Sequence, residues 1–359
     1  MVDSKKPRIS RILSEYDLDN ITIATVCSHS SLQIFNGAKR EGFKTLGICV
    51  GKVKRFYEAF PLGKPDKFFI VNSYDEILDR TDELIGENTI IIPHGSFVEY
   101  LGAENFLKLG LPTFGNREVL LWESDRKKER EWLEGAGLEM PREIRDPLEI
   151  NKPVIVKYYG AKGGKGFFIA KNYEEFKKKI DRSRSYTIQE FVIGTRYYLH
   201  YFYSPIVEEG YKLDIGGSLQ FLSVDRRDET NIDEAHRLGS ISELEEVGIP
   251  PTFVVTGNIP IVLRESLLPK VFEMGEAVVK KSFELFNGII GPFCLETVVT
   301  DELTFKVFEI SARIVAGTNP YLSGSPYADL IEPQLSTGRR IAREIKIAKE
   351  KGLLEKILS

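Results

Sequence analysis

The sequence predicts a chain that begins as an α/β protein and continues as an α+β protein. Three observations lead there. Residues 1–122 alternate continuous apolar strands with helix-like segments, the pattern of a parallel sheet covered on both faces. Residues 153–170 read as two strands joined by a loop rich in glycine and lysine. From Tyr197 onward the apolar runs are mostly strand-like and antiparallel in character, interrupted by one long helix near Pro269–Phe286.

In the first part, Ile21–Cys27 (ITIATVC) reads as a buried strand, followed by a helix in HSSLQIFNGAKREG that ends at Gly42. TLGICV, KFFIV (Lys67–Val71) and TIIIP (Thr89–Pro93) supply three further strands. Ligands on such sheets bind beyond the carboxyl ends of the strands. Those ends carry Ser28-His29-Ser30 and His94-Gly95-Ser96.

A charged helix is expected over roughly Arg117–Glu134, ended by Gly135-Ala136-Gly137. PVIVKYY, the loop GAKGGKG and FFIA form a hairpin. YEEFKKKID is a helix and TIQEFVIG a strand. The strands YYLHYFYSP, SLQFLSVD, FVVTGNIPIVL, PFCLETVV and TFKVFEISA follow, and an amphipathic helix over about Arg339–Ile357 closes the chain.

Composition narrows the function. A chain of 359 residues can bury a large core and hold two or three domains. Net charge is −4, against the basic excess of a dedicated nucleic-acid binder. The basic runs Lys127-Lys128 and Lys177-Lys178-Lys179 stand beside acidic residues and read as solvated helix faces. The three cysteines, Cys27, Cys49 and Cys294, have apolar surroundings and no CxxC spacing, so buried thiols in a reducing cytoplasm are expected. The first residues lack an apolar core segment and no run approaches membrane length, so neither a secretory leader nor membrane association is expected.

Several residues bear chemistry. Gly160–Gly166 contains Lys162, Gly163, Gly164 and Lys165 between two strands. Glycines let a backbone approach phosphate closely, and lysines add charge; a phosphate lid and a flexible hairpin turn both fit. Lys157 inside an apolar strand either meets an anion or points outward. Glu296 and Glu309 lie in neighbouring runs separated by a turn at Asp301-Glu302. Paired as a hairpin, they put two carboxylates side by side, an arrangement suited to Mg²⁺ shared with phosphates; two unrelated strand glutamates are the other reading. Arg313 either reaches a phosphate from that edge or makes a surface ion pair. His29 and His94, after strand ends, are candidates to face ligand. His200 suits a packed strand position, and His236 reads as a loop residue. No histidine pair has metal-ligand spacing.

The order GAGLEMP, PVIVKYYGAKGGKGFFIA, IQEFVIG, CLE and FEISAR resembles the ATP-grasp superfamily over roughly Asp125–Asn319. CSHSSLQIFNGAKREGF, IIPHGSFVEYLG, TFGNREVLLWESDR, IGTRYYLHYFYSP, DRRDETNID, TGNIPIVLRESLL, GPFCLE, FEISARIVAGTN and TGRRIAREI are similar to the archaeal formate-dependent FAICAR synthetases, the PurP family. That resemblance implies an ATP-grasp fold preceded by a parallel α/β domain. The divisions would be an acceptor-nucleotide domain over 1–122, a small lobe with a glycine-rich lid over 123–193, and a large lobe over 194–359. It implies a carbon–nitrogen ligase that uses ATP with Mg²⁺ or Mn²⁺ to join formate to AICAR, acting in the cytoplasm as a homo-oligomer, a trimer or a hexamer.

Residue by residue, the resemblance implies that Lys157, Lys162, Gly163 and Gly164 hold ATP phosphates. Gln189, Glu190 and Val192 would line the adenine and Glu229 the ribose. Glu296 and Glu309 would hold the metal, and His29, Ser96 and Asn258 the AICAR nucleotide. Arg313 would lie by the transferred phosphoryl group, a catalytic place shared with Lys157. Three departures stand out. Ser311-Ala312-Arg313 replaces the common Asn-Pro-Arg, Ile314–Gly317 lacks the acidic residue of some members, and Glu208–Leu222 is longer than the family suggests. Drift to another acid or amine, or a non-catalytic nucleotide-binding paralogue, are the competing readings.

Overall fold

The computed structural model describes residues 6–158, 166–239, 247, 249, 252, 254–315 and 325–359. The first sheet contains β1 (Thr22–Val26), β2 (Lys44–Val50), β3 (Lys67–Val71) and β4 (Thr89–Ile91), ordered β3-β2-β1-β4 with every pairing parallel. All residues of β1 and β4 are buried. Such strands, apolar on both faces, need cover on both sides, which the intervening helices provide. The helix after β1 spans Ser31–Arg40, and Gly42 beyond it has φ +89°, the left-handed conformation that stops the helix. Sequence order reverses between β1 and β4, so the crevice beyond their carboxyl ends is the switch point where an open sheet takes its ligand.

The expected long helix over Arg117–Glu134 is two helices, Val119–Ser124 and Arg126–Gly135. Asp125 between them is extended, and its side chain accepts from the backbone N–H groups of Lys127 and Lys128. It is an N-cap, which favours breaking the helix over continuing it. A three-stranded antiparallel sheet follows, with β5 (Val154–Tyr158) central, β6 (Phe167–Ala170) on one side and β7 (Tyr186–Glu190) on the other. Val154, Val156, Ile188 and Ala170 form a small core with Phe176 of the Tyr173–Lys179 helix. The opposite face carries Ile155, Lys157, Thr187 and Gln189.

The third sheet has the path β11 (Val255–Pro260), β10 (Ser218–Glu229), β8 (Thr195–Ser204), β12 (Gly291–Val299) and β13 (Phe305–Ser311), with β9 (Tyr211–Lys212) paired to β10. Alternation along β8 separates its faces. Leu199, Tyr201 and Tyr203 pack toward the Leu268–Phe286 helix, and the Tyr201 hydroxyl donates to the Val271 carbonyl at 2.9 Å. Tyr198, His200 and Phe202 face the other way. Glu208–Leu222, the long segment, folds as the β9–β10 hairpin. Tyr211 stacks on Phe272 of that helix at 4.7 Å and bonds Glu276, so it sits on the face away from Tyr198 and His200. His236 lies in the Ile232–Leu238 helix rather than in a loop. The lysines of both basic runs are exposed, as expected, and all three cysteines are buried.

The final helix spans Thr337–Glu350 and crosses the Ser31–Arg40 helix in direct backbone contact. A Cβ on Gly338 would lie 2.4 Å from the Gln33 carbonyl oxygen, and one on Gly37 would lie 2.3 Å from the Arg339 nitrogen. The Gln33 side-chain oxygen accepts from the Gly338 N–H at 2.9 Å, and Arg339 and Arg343 both clasp Glu41 at 2.8 Å. Beyond the helix, Ser359 exchanges backbone bonds with Thr113. The crossing depends on having no side chain at either glycine. Gly338→Ala is therefore expected to lower stability by roughly 2 kcal/mol through overpacking. Gly86→Ala, where the added carbon meets ordinary contacts of 3.5 Å, should not. Thermal melts of the two variants against the parent check this.

Candidate active site

One face of the large sheet gathers a row of ionisable side chains. Across neighbouring strands the register aligns Asp225, Tyr198, Glu296 and Glu309 in a row from β10 to β13. The alignment of Glu309 depends on a β-bulge. Glu296 pairs with Glu309 and Thr297 with Val307, leaving Phe308 unopposed. Val307 belongs to the core beneath the sheet. Strict alternation would send Glu309 to that side with Val307. The extra residue turns it to the Glu296 face instead, the kind of re-aiming that bulges supply beside functional sites.

The two carboxylates repel. Burial pushes the Glu309 carboxyl up to about 7, with Glu296 adding to the rise and Lys157 opposing it. Its side chain still meets solvent, because it stands on the floor of a cleft walled by protein. Glu296 is 6% exposed. Arg227 approaches it at 3.4 Å with its guanidinium 3.6 Å from the centre of the Tyr198 ring, and the Ser311 hydroxyl donates to it at 3.3 Å. Ser311 thus serves the first glutamate where a side-chain amide is more common. Among the described residues no group of three or more His, Cys, Asp or Glu side chains is built to hold an ion unaided. A pair of adjacent carboxylates does fit a hard divalent cation whose remaining ligands are phosphate and water.

Lys157 answers the question its position raised. It projects from the open face of β5, with its ammonium 5.8 Å from the centre of the Phe308 ring. Burial lowers its pKa, and Glu309 and Glu129 partly offset that. Gln189 shares this face, and its side-chain oxygen is buried without a partner. Glu190 pairs with Val154 and points to the other face, so only its backbone is available to the cleft. Val192 is half-buried in the connection to β8. Glu229 is bound by Arg196 at 2.8 Å through both oxygens; burial raises its pKa and Arg196 opposes this. Lys162, Gly163 and Gly164 lie outside the described residues.

Arg313 joins this cleft to the first sheet. Its guanidinium bonds Glu123 at 2.6 Å and lies 3.5 Å from where a Cβ on Gly95 would stand. Ile314 bridges His94, and the Ser30 hydroxyl donates to the Val315 carbonyl at 2.8 Å. His29 is exposed at the end of β1; burial of its ring and then the Arg313 charge lower its pKa. Ser96 is fully buried, and its hydroxyl has no partner. His94 is different. Its Nε2 bonds the Val26 carbonyl at 2.9 Å, its Nδ1 accepts from the Ser96 N–H at 3.2 Å, and burial lowers its pKa to about 3. It is a neutral helix cap that shapes the Gly95–Tyr100 turn, not a ligand-facing group. Asn258 stands opposite Arg227 on β11 with a buried, unpartnered side-chain oxygen.

Four participants were missed in the sequence. Asp225 and Arg227 alternate with Glu229 along β10, so a period of two would have put all three on one face. His200, expected at a packed strand position, is buried there and bonds Asp225 directly. Glu123 and Glu129 fall in a charged helical stretch that looks like solvated surface, and nothing local marks them as buried.

Comparison with known proteins agrees with this architecture. A family described as a protein of unknown function (DUF1246) matches residues 23–144, and a domain of unknown function (DUF1297) matches residues 171–359. The chain is 67% identical over 354 residues to the 5-formaminoimidazole-4-carboxamide-1-(beta)-D-ribofuranosyl 5′-monophosphate synthetase 1 of Methanosarcina mazei, covering 99% of each chain. An IMP biosynthesis protein PurP from Thermococcus kodakaraensis superposes with a TM-score of 0.73 at 32% identity, over 94% of this chain and 100% of that one. An ADP complex of purK, an N5-carboxyaminoimidazole ribonucleotide synthetase, shares the fold with a TM-score of 0.60 at 14% identity, over 88% of this chain and 76% of that one. The chain belongs to the 5-formaminoimidazole-4-carboxamide-1-(beta)-D-ribofuranosyl 5′-monophosphate synthetase family, ligases of purine biosynthesis with the ATP-grasp fold.

Proposed function

We propose that this cleft uses ATP to join formate to the amine of AICAR, giving FAICAR, ADP and phosphate. The observation that carries the reading is the placement of Arg313. Its guanidinium is bonded to Glu123 and lies against Gly95 and near His29 at the carboxyl ends of β1 and β4. Its backbone follows Glu309 by four residues, just beyond the strand that pairs that carboxylate with Glu296. A phosphoryl donor on one side and a nucleotide acceptor on the other would meet there.

In this reading a formate oxygen attacks the γ-phosphorus, ADP leaves, and formyl phosphate forms. The AICAR amine then attacks the formyl carbon and phosphate departs; the amine proton is released, and the departing phosphate is a competent acceptor. The amine is a weak nucleophile, its lone pair delocalised into the ring, so formate needs activation. Lys157 and Arg313 neutralise charge that grows on the transferred group. Mg²⁺ or Mn²⁺ on Glu296 and Glu309 supplies further positive charge to the phosphates when bound. Gln189, the Glu190 backbone and Val192 hold the adenine, and Glu229 the ribose once Arg196 yields. Lys162, Gly163 and Gly164 close over the phosphates and keep water from the acyl phosphate. His29, Ser96 and Asn258 orient AICAR. The resemblance also supports a cytoplasmic homo-oligomer, a trimer or a hexamer. No described helix is long and apolar enough to cross a membrane.

The reaction is tested directly. Purified protein should convert ATP to ADP only with formate and AICAR both present, and FAICAR should accumulate. Glu309→Gln should lower that turnover on the order of 100-fold. ATP binding without turnover on formate would overturn the reading, and turnover on another acid would relocate it to a different carboxylate.

His29→Ala should weaken AICAR binding about tenfold, the loss of one good hydrogen bond, while leaving ATP affinity in place. Calorimetry with each ligand separates the two.

The raised carboxyls give a pH signature. A carboxyl whose pKa is higher folded than unfolded holds its proton more tightly in the folded state. Its stabilisation is complete below the unfolded value and is lost as pH rises through the folded one. For Glu309 that window runs from the ordinary 4.5 to about 7. Metal-free protein should therefore lose more thermal stability across that window than Glu309→Gln does. Mg²⁺ with ATP should remove the difference, because a cation favours the ionised pair.

A further inference from the structure

Strand β13 is the outer edge of the large sheet, so the backbone N–H groups on its far side have no neighbouring strand. Two of them are taken by carboxylates. Ile310 N–H donates to Glu129 at 2.7 Å and Ala312 N–H to Glu123 at 2.9 Å. The glutamates come from successive helices, Arg126–Gly135 and Val119–Ser124, on either side of the Asp125 cap. The bonds fall immediately after Glu309 and immediately before Arg313. Glu123 spends its second oxygen on Arg313 itself at 2.6 Å. Both carboxyls are buried, which raises their pKa values, and burying acids here demands a return beyond closing an edge that a neutral acceptor would close equally well.

We propose that Glu123 and Glu129 are positioning residues, a two-point clasp that holds β13 so that Glu309 faces Glu296 and Arg313 spans the two half-sites. Glu129 bonds the backbone of Ile310, next to Glu309 and two residues beyond the unopposed Phe308. Glu123 fixes both the backbone leading into Arg313 and the direction of its guanidinium. The inference rests on the ligase reading for its kinetic arm only.

The kinetic arm is a double-mutant cycle. Glu123→Gln keeps an acceptor for Ala312 but removes the charge facing Arg313. It should reduce kcat roughly 10- to 100-fold with a thermal midpoint close to the parent's. In an Arg313→Lys background the same change should have little further effect, because Glu123 acts through the guanidinium. Equal losses in both backgrounds would overturn its positioning role. The second arm needs no turnover. Mn²⁺ binding in the presence of ATP, followed by electron paramagnetic resonance, should be several-fold weaker in Glu129→Ala than in Glu129→Gln, which retains an oxygen for the Ile310 N–H. Equal affinities in the two, with both folded, would overturn the clasp at Glu129. An active parent with additive kinetics counts against the clasp alone. A parent inactive with formate and AICAR counts against the ligase reading, and the Mn²⁺ arm still tests the clasp.

Discussion

Two carboxylates held against one another are the constraint that organises the cleft. Glu296 and Glu309 would separate if the strands allowed it, and a sheet register, a bulge and an edge clasp prevent that. The cations follow from the repulsion. Arg227 leans on Glu296 from β10, and Lys157 reaches toward Glu309 from the small antiparallel sheet. Arg313 is balanced by Glu123 at the rear and faces the first sheet in front. The resulting field is nearly neutral in sum and strongly patterned in space. That pattern suits a polyanion whose charge moves during reaction better than a uniformly basic pocket would, because fixed charges need no reorganisation as the phosphoryl group shifts.

The three sheets contribute separable parts. The parallel sheet offers a crevice at its switch point, shaped by the buried cap His94. The small antiparallel sheet presents Lys157 and Gln189 on a face otherwise free of charge. The large sheet gives its lower face to core and its upper face to chemistry, and the upper face continues through Phe202 into the second core beneath the first sheet. The final helix and its glycine crossing tie the first sheet to the third, so the positions of His29 and of Glu296 are set by one continuous body of packing.

Much of this was legible in the chain. Continuous apolar runs identified the parallel strands, and the strand pair around Asp301-Glu302 brought Glu296 and Glu309 together as expected. Other features are not written locally. Asp125 reads as one more charge in a charged helix until its cap is seen. Glu123 and Glu129 look like solvent residues because their burial is decided by an edge strand about 180 residues later. His94, at a strand end, looked as ready to face ligand as His29 did. Only the Val26 carbonyl, 68 residues away in sequence, shows that it is a cap. Local pattern reports periodicity well, and it is silent on partners supplied from a distance.

The Phe308 bulge has a consequence for how this sequence can change. Which way a side chain points in a strand is a matter of parity, odd or even, counted along the paired residues. The segment from Phe305 to Glu309 carries one surplus residue, so its count is odd where its partner's is even. Residues gained or lost in the Thr300–Thr304 turn leave the count beyond the bulge untouched. Removing Phe308 would leave Glu309 opposite Glu296 with no bulge, whereas pairing the strand regularly with Phe308 kept would exchange the two faces beyond it. A carboxylate would then be driven into the core, and an apolar side chain would be left among the ions. The strand is in effect a reading frame in three dimensions. Its single out-of-frame residue is the one that looks least chemical, a phenylalanine between a core valine and the glutamate that faces the cleft.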